Sequence, residues 1–570
     1  MPFRFSLAPL AAALLWTANA QGADTTLLLH GHIYTGDAAH PWVQALAIDG
    51  SHIAAVGSDT QVQRHRRSGA HIVDLRGRTV VPGLIDSHMH MFFGAMELRG
   101  FNLSEPDHSV TPDHPDALVA AIKAFADQHP DARLLIGRAD FNTTPPDVPT
   151  AALLDRAVAD RPVIVHCTSE HALWVNSAAL KLAGITDEPV ADPEEERNVV
   201  RDASGHPSGL LLEAAQELMA RAVLRQLSTE EKLALVRNAG RYLNSLGITS
   251  VVNATGDLAE IELYAASRDR GELTVRTRTA FGAVAVPHKL TTQFLSDLET
   301  ARTRYHDEWV SANLVKFFAD GSTGLIPPLV YRPADYRALV LELDRRGFQL
   351  MTHAERSDSM HMVLDAYEQA IKTNGPRDRR LRIEHDFVVS PTDLPRYAPM
   401  QIIASVQPMF CCSEIGSGFD SQDTTTTDRW RSFLDNHTTL VFGSDWPCTW
   451  PPDPFVNIQQ AVTRQIWASE DTAGVQSLAV DGAHQGGSKP TGKTYHPEER
   501  ITVQEAIDAY TRNAAYAAFE DDHIGTLTPG KDADLVVLSQ DPFTADPLRI
   551  AETRAMLTMV GGKVVFERTQ

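Results

Sequence analysis

A chain of 570 residues has room for roughly two to four domains, although an α/β barrel can take up about 250 residues or more as one unit. Hydrophobic residues make up 43% and charged residues 22%, the balance of a soluble globular protein. The net charge of −22 argues against nucleic acid or an anionic membrane as partner, since both are polyanions, and leaves a small-molecule substrate open.

The first twenty residues read as a signal peptide. Arg4 supplies a positive start, Ser6 to Trp16 is an apolar run, and Ala18-Asn19-Ala20 places small residues where a signal peptidase reads. A buried N-terminal helix is the alternative, disfavoured by Pro9 inside the run. Cleavage after Ala20 and a periplasmic or secreted location are expected. The run is too short to span a bilayer, and nothing later reaches about 18 unbroken apolar residues, so no membrane insertion is expected.

From Thr25 to Val81 short apolar runs alternate with turns. Thr26–Leu29, Ala45–Ile48 and His52–Val56 are punctuated by Gly31, Asp49-Gly50 and Gly57. The chain's end has the same character: Asp534–Leu538, Ala555–Val560 and Lys563–Phe566, with a Gly561-Gly562 turn. Residues 21–82 and 526–570 are therefore expected to build one small β-sandwich.

Between them, residues 83–525 alternate short strands with amphipathic helices. Expected strands are Leu84–Asp86, Pro162–His166, Thr249–Asn253, Leu314–Phe318, Gln349–Thr352, Leu381–Glu384, Ile402–Val406 and Leu440–Phe442. Expected helices include Pro115–Gln128, Thr229–Leu246, Ser359–Lys372 and Thr502–Ala517. This alternation predicts an α/β fold, a (β/α)8 TIM barrel. Residues 469–500, rich in Gly, Ser, Asp and Pro, read as a loop or insertion.

The four cysteines, Cys167, Cys411, Cys412 and Cys448, form no C-x-x-C pair, which argues against a zinc knuckle. A bridge from Cys411 or Cys412 to Cys448 stays open.

His88 and His90 are two apart at the end of a strand, so both imidazoles can face one ion. A bare H-x-H is common without metal; this one sits where barrel chemistry belongs. His353, His385 and Asp445 each end another expected strand. Each alone is more often structural, a capping Asp or a hydrogen-bonded His. Their shared position at the strands' C-terminal ends makes them a metal site. Lys316 lies inside an apolar strand, where a free ammonium is costly. It is either ion-paired, with Asp320 for example, or a neutral amine able to add CO2 and form an anionic carbamate between two cations.

Taken together, these segments resemble the amidohydrolase superfamily, and within it the YtcJ-like (amidohydrolase 3) branch, over most of residues 25–567. The resemblance rests on Val81–His90, His171–Ser177, Val315-Lys316 with Asp320–Ser322, Ile383–His385, Ala404–Pro408, Gly443–Pro447 and Gly525–Leu538. It implies that His88, His90 and Asp445 hold a buried divalent ion and His353 and His385 an exposed one, with carboxylated Lys316 bridging them. Zinc is the expected metal; Mn and Fe suit the same donors. It further implies hydrolysis of a non-peptide carbon–nitrogen bond by a hydroxide between two divalent ions. Asp445 would carry the proton to the leaving amine. His171 would hydrogen-bond the substrate oxygen, with Trp174 in the same substrate-binding loop. A structural His171, and a Trp174 and Asn176 that only shape the loop, remain alternatives.

Two departures stand out. Relatives continue after the strand-5 histidine with small residues, whereas His353 is followed by Ala354-Glu355-Arg356, and Glu170 precedes His171 where a Gly is usual. Ester or lactone hydrolysis needs the same metals. A one-metal deaminase would need a general-acid Glu and no bridging lysine, and a silent binding protein would be favoured by a missing ligand; none is missing. A homodimer stays open.

Overall fold

The computed structural model describes residues 25–98, 100–103, 114–139, 141, 149–167, 171–282, 290–321, 329–411, 426–449, 451–469, 476–477 and 488–569. The expected leader and Glu170 lie outside them.

Eight parallel strands form one barrel sheet. They are β1 (Leu84–Met89), β2 (Ile248–Gly256), β3 (Arg276–Gly282), β4 (Val310–Phe318), β5 (Gln349–Ala354), β6 (Arg382–His385), β7 (Ile403–Val406) and β8 (Thr439–Phe442), paired in chain order. The ends of the ladder meet just beyond β8: the Asp445 amide donates to the His88 carbonyl at 2.6 Å and the His90 amide to the Trp446 carbonyl at 2.7 Å. Gly443 permits that approach, because a Cβ there would lie 2.6 Å from the His88 nitrogen. Every residue of β1, β5, β6 and β7 is buried. Strands covered on both faces read as continuous apolar runs, and seven of the eight expected strands are barrel strands for that reason.

The eighth expectation is corrected. Val163–Cys167, expected in the barrel, lies inside a separate seven-stranded sheet, most of which is inserted between β1 and β2. There it pairs in parallel with Leu135–Ala139 and antiparallel with Ala172–Val175. This sheet has its own core, including Phe101, Val163, Val165, Trp174 and Leu210. An apolar β-branched run specifies a buried strand without saying in which sheet. The vacant barrel place belongs to β3, whose sequence Arg-Thr-Arg-Thr carries two arginines and hides its burial. Arg276 is satisfied by Asp534, at 2.8 and 3.1 Å, and by Asp532 at 3.1 Å; Arg278 donates to Gln349 Oε1 at 3.0 Å.

Both chain ends build the small β-sandwich. One sheet has four strands, in the order His52–Gly57, Ala45–Asp49, Thr25–Leu29, His71–Asp74. The other has six: Lys563–Glu567, Ala555–Val560, Leu535–Leu538, Thr79–Pro82, His32–Tyr34, Trp42–Val43. Leu28, Leu46 and Ile48 of the first pack with Ile33, Val80, Leu535 and Met559 of the second in one buried cluster. Thr79–Pro82 leads directly into β1, so the sandwich fixes where the barrel begins.

The helices Pro115–Gln128, Thr229–Ser245 and Ser357–Asn374 form where amphipathicity places them. Ser228 and Glu231 make a reciprocal cap at the start of the second. The expected Thr502–Ala517 helix is two, Val503–Tyr510 and Arg512–Ala517. It breaks at Thr511, whose hydroxyl donates to the Ile507 carbonyl at 2.7 Å and so takes over a helical amide's acceptor. Within 469–500, expected as a loop, Ser488–Thr494 pairs antiparallel with Gln465–Ser469, and Gln476–Ser477 joins the inserted sheet. The Cys448 bridge is not formed: Cys448 is a thiol, while Cys411 is in a disulfide. No described helix is long and apolar enough to cross a membrane.

Arg276 joins the barrel floor to the sandwich through two buried carboxylates. Replacing it with Met strands those charges, and Arg276→Met is expected to destabilise the protein by about 3–5 kcal/mol, read as a lower denaturant midpoint.

Candidate metal centre

The parallel barrel brings all six residues singled out as metal ligands to one end. His88 ends β1 with His90 beyond it, Lys316 lies near the end of β4, His353 is on β5, His385 ends β6 and Asp445 follows β8. His88, His385 and Asp445 each offer an atom within 4.8 Å of the others'. Asp445 Oδ1 lies 3.3 Å from His88 Nε2 and 3.2 Å from His90 Nε2. The His353 and His385 rings are centred 4.5 Å apart. Beside them stands Glu355, which with these two histidines makes a second group of close donor atoms.

Lys316 is buried among these groups, its Nζ 3.3 Å from His88 Nε2 and 4.5 Å from the centre of the Phe318 ring. The ion pair with Asp320 entertained from sequence does not form. Asp320 instead accepts from the Glu355 and Arg356 amides and from the Ser359 hydroxyl, and lies 3.2 Å from His353 Nε2. Among the described residues no carboxylate pairs with Lys316. Burial pushes its amine down to about 8, against the pull of Glu384 and Asp445. Burial would raise the Asp445 carboxyl, but His88 and His90 beside it hold it well below the usual range.

The imidazoles are aimed by partners behind them. His88 Nδ1 lies 2.5 Å from Glu384 Oε2, which leaves Nε2 to face Lys316 and Asp445. Glu384 is fully buried and held by Arg382 through contacts of 2.8 and 2.9 Å. Burial alone would raise its pKa; Arg382 and His88 lower it far more. His385 Nδ1 lies 2.8 Å from Gln407 Oε1, which again frees Nε2. A carboxylate or amide behind a histidine is the arrangement that orients metal-binding imidazoles. Asp86 accepts from the amides of His88 and Ser444, both at 3.1 Å, and so ties β1 to the Asp445 loop.

The inserted sheet completes the mouth. Arg138 donates to the carbonyls of Pro447 and Cys448 and steadies the same loop. His171 faces the centre, its ring 6.0 Å from that of His353, and its Nδ1 lies 2.8 Å from Glu213 Oε1. Burial opposes charge on His171, but the adjacent Glu213 carboxylate wins and raises it to about 9. Trp174 does not line the site, contrary to the expectation of substrate contact. It is wholly buried in the inserted sheet and donates to the Thr150 carbonyl at 2.9 Å. Asn176 caps the helix Ser177–Ala183 and bonds the Val163 amide at 3.0 Å, a purely structural task. A cavity of about 730 Å³ lies at the opposite, strand-start end, lined by Arg278, Trp309, Ser311 and Asn313, and holds none of these donors.

The donors fit divalent cations. His353 Nε2 is buried with no well-formed hydrogen bond, Asp320 Oδ1 lying 3.2 Å away, and among the described residues no carboxylate is paired with Lys316. Imidazole and carboxylate donors gathered this closely suit Zn, Mn or Fe. Sequence reasoning assigned no role to Glu384, Arg382, Gln407, Asp86, Arg138 or Glu213. A polar side chain within a strand otherwise apolar and buried was the available signal, and Asp86, Arg382 and Glu384 carry it. Glu384→Gln is expected to weaken metal binding by about 10- to 100-fold, as measured by chelator competition, with the fold retained.

The sequence profile described as the amidohydrolase family matches residues 71–566. The chain is 29% identical to Protein LONG AFTER FAR-RED 3 of Arabidopsis thaliana, over 95% of this chain and 91% of that one. It is 27% identical to YtcJ of Bacillus subtilis, over 95% and 99% of the two chains. It is 26% identical to the N-substituted formamide deformylase of Arthrobacter pascens, over 95% and 98%. Its fold superposes with TM-score 0.70 on an uncharacterized metal-dependent hydrolase of Pyrococcus horikoshii, at 21% identity, over 92% of this chain and 99% of the other.

Proposed function

The chain belongs to the amidohydrolase family and is a hydrolase of carbon–nitrogen bonds, and from that premise we propose that it cleaves a non-peptide amide of a small molecule with two divalent ions, the second bridged to the first through carboxylated Lys316. The observation that carries the two-ion reading is Lys316 itself: a buried amine with no carboxylate paired to it among the described residues, its Nζ 3.3 Å from His88 Nε2 beside the His88–Asp445 group. His88, His90 and Asp445 would hold the inner ion and His353 and His385 the outer one, with zinc as the metal proposed. When bound, the ions lower the pKa of water and polarise a carbonyl.

The chain's own residues do the rest. Asp445 lies 3.2–3.3 Å from two imidazoles and remains ionised, so it can take the proton of the attacking water and pass it to the departing amine. His171, kept protonated by Glu213, donates to the substrate oxygen as negative charge grows there. Amide cleavage is favoured over ester or lactone cleavage by the relative named for deformylation of N-substituted formamides, whose bond is of this kind. We also propose that residues 1–20 direct export to the periplasm or beyond.

Metal analysis of the purified protein is expected to give close to two ions per chain. Lys316→Ala and Asp445→Asn are expected to abolish hydrolysis of a panel of N-formyl and N-acyl amines while leaving the melting transition in place. Full activity with a single ion would sink the binuclear reading. A second test uses pH. The Lys316 amine is lowered to about 8, so it is neutral, and able to add CO2, above that pH and protonated below it. Reactivation of metal-free protein by zinc at a fixed dissolved CO2 concentration should therefore quicken as pH rises toward about 8 and level off above it. Isotope-labelled bicarbonate should yield a carbamate NMR signal that is absent from Lys316→Ala.

A further inference from the structure

We propose that Glu355 is a third protein ligand of the outer divalent ion, beside His353 and His385, an inference that rests on the two-ion reading above.

Geometry leads to it. His353 and Glu355 are two apart at the end of β5, as His88 and His90 are at the end of β1, and that spacing puts two side chains on one face of an extended chain. In the β5–β6 register Ala354 lies opposite His385, so the β6 histidine stands between the two donors of the neighbouring strand. One atom each of His353, Glu355 and His385 falls within 4.8 Å of the other two. Glu355 Oε1 is 3.9 Å from His353 Nε2, too far for a hydrogen bond and suited to two donors sharing one cation.

The electrostatics agree. Glu355 is only 8% exposed, and among the described residues no hydrogen bond reaches its carboxylate. Its backbone amide is tied to Asp320, at 3.0 Å, and that fixes where the side chain starts. A buried, unsolvated carboxylate is costly unless a cation or donor meets it. His353 Nε2 beside it makes no well-formed hydrogen bond among the described residues, Asp320 Oδ1 lying 3.2 Å away, and has the complementary need. A divalent ion answers both. A carboxylate at this position would add one negative charge to the outer site. An ion held there would bind more tightly, and act as a weaker Lewis acid, than one held by two histidines alone.

The test is a metal titration of the full-length protein, stripped with chelator and refilled with Co2+, following d–d absorption and metal content. Wild type is expected to take up two ions. Glu355→Gln should keep one at wild-type affinity and bind the other at least about tenfold more weakly, with an altered d–d spectrum. Glu355→Asp, which keeps the charge but shortens the reach, should also weaken the second ion and serves if the Gln variant does not fold. If Glu355→Gln binds both ions with wild-type affinity and spectrum, the proposal falls, even where KM for an amide substrate rises. If wild type binds one ion, the binuclear reading fails separately. Glu355 then stands as a ligand if Glu355→Gln weakens that ion, and falls if it does not.

Discussion

A fully buried ion pair, Arg382 with Glu384, organises the interior of the barrel. Arg382 also donates to the Ser87 carbonyl at 2.7 Å and to the Ser405 hydroxyl at 3.0 Å, so one guanidinium joins β6 to β1 and β7. Taking both charges from water is expensive, and hydrophobic replacement of such a pair is often neutral or stabilising. Its place here follows from what Glu384 does with its second oxygen, which is to hold His88 by Nδ1. The pair converts an electrostatic cost into the fixed direction of one imidazole, and the positions of Lys316 and Asp445 are set against that imidazole.

The same logic extends outward in layers. Gln407 directs His385 from β7, and Asp86 clamps the amides of His88 and Ser444. Arg138 reaches from the inserted sheet to the carbonyls after Asp445. The barrel therefore supplies the donors, and the insertion supplies their roof. His171 belongs to that roof, and its partner Glu213 follows directly on the strand Pro207–Leu212. A mouth assembled from two sheets can change substrate through the insertion while the donor set on the strand ends stays intact.

How much of this was legible in the sequence follows from what burial does to residue patterns. Strands covered on both faces leave unbroken apolar runs, so β1, β2 and β4 to β8 were visible, and the donors were visible as polar residues at their C-terminal ends. The composite sandwich was visible because turns punctuate short runs at both chain ends. β3 was hidden because Arg276 and Arg278 turn inward to Asp534 and Gln349, an arrangement no local pattern announces. Val163–Cys167 was misplaced because its apolar content matches a barrel strand; only its partners differ. Trp174 looked like a substrate contact by its neighbourhood to His171. Alternation along Ala172–Val175 sends its ring to the opposite side, into the inserted sheet's core. Glu213 lies 42 residues from His171 in sequence, so their pairing is a property of the fold alone.

Two of the proposed ligands lie in a backbone region that side chains seldom adopt: His385 has φ 76° and Asp445 φ 56°, both left-handed. Each such residue costs on the order of 1–3 kcal/mol and persists only where its surroundings over-determine it. For Asp445 the surroundings are explicit. Its amide is bound to the His88 carbonyl at 2.6 Å, its carbonyl accepts from the Cys448 amide at 2.7 Å, and Gly443 just before it lets β8 press against β1. An extended continuation of β8 would carry the carboxylate onward along the barrel wall. The left-handed residue turns it back across the mouth, toward His88 and His90. His385 makes the same turn from β6, and its ring then stands 5.0 Å from that of His88 and 4.5 Å from that of His353. The strain falls on the two residues that must link the inner donors with the outer ones. The barrel thus bends its own strand ends to bring donors from five strands into range of each other, and hydrogen bonds within the protein hold that bend.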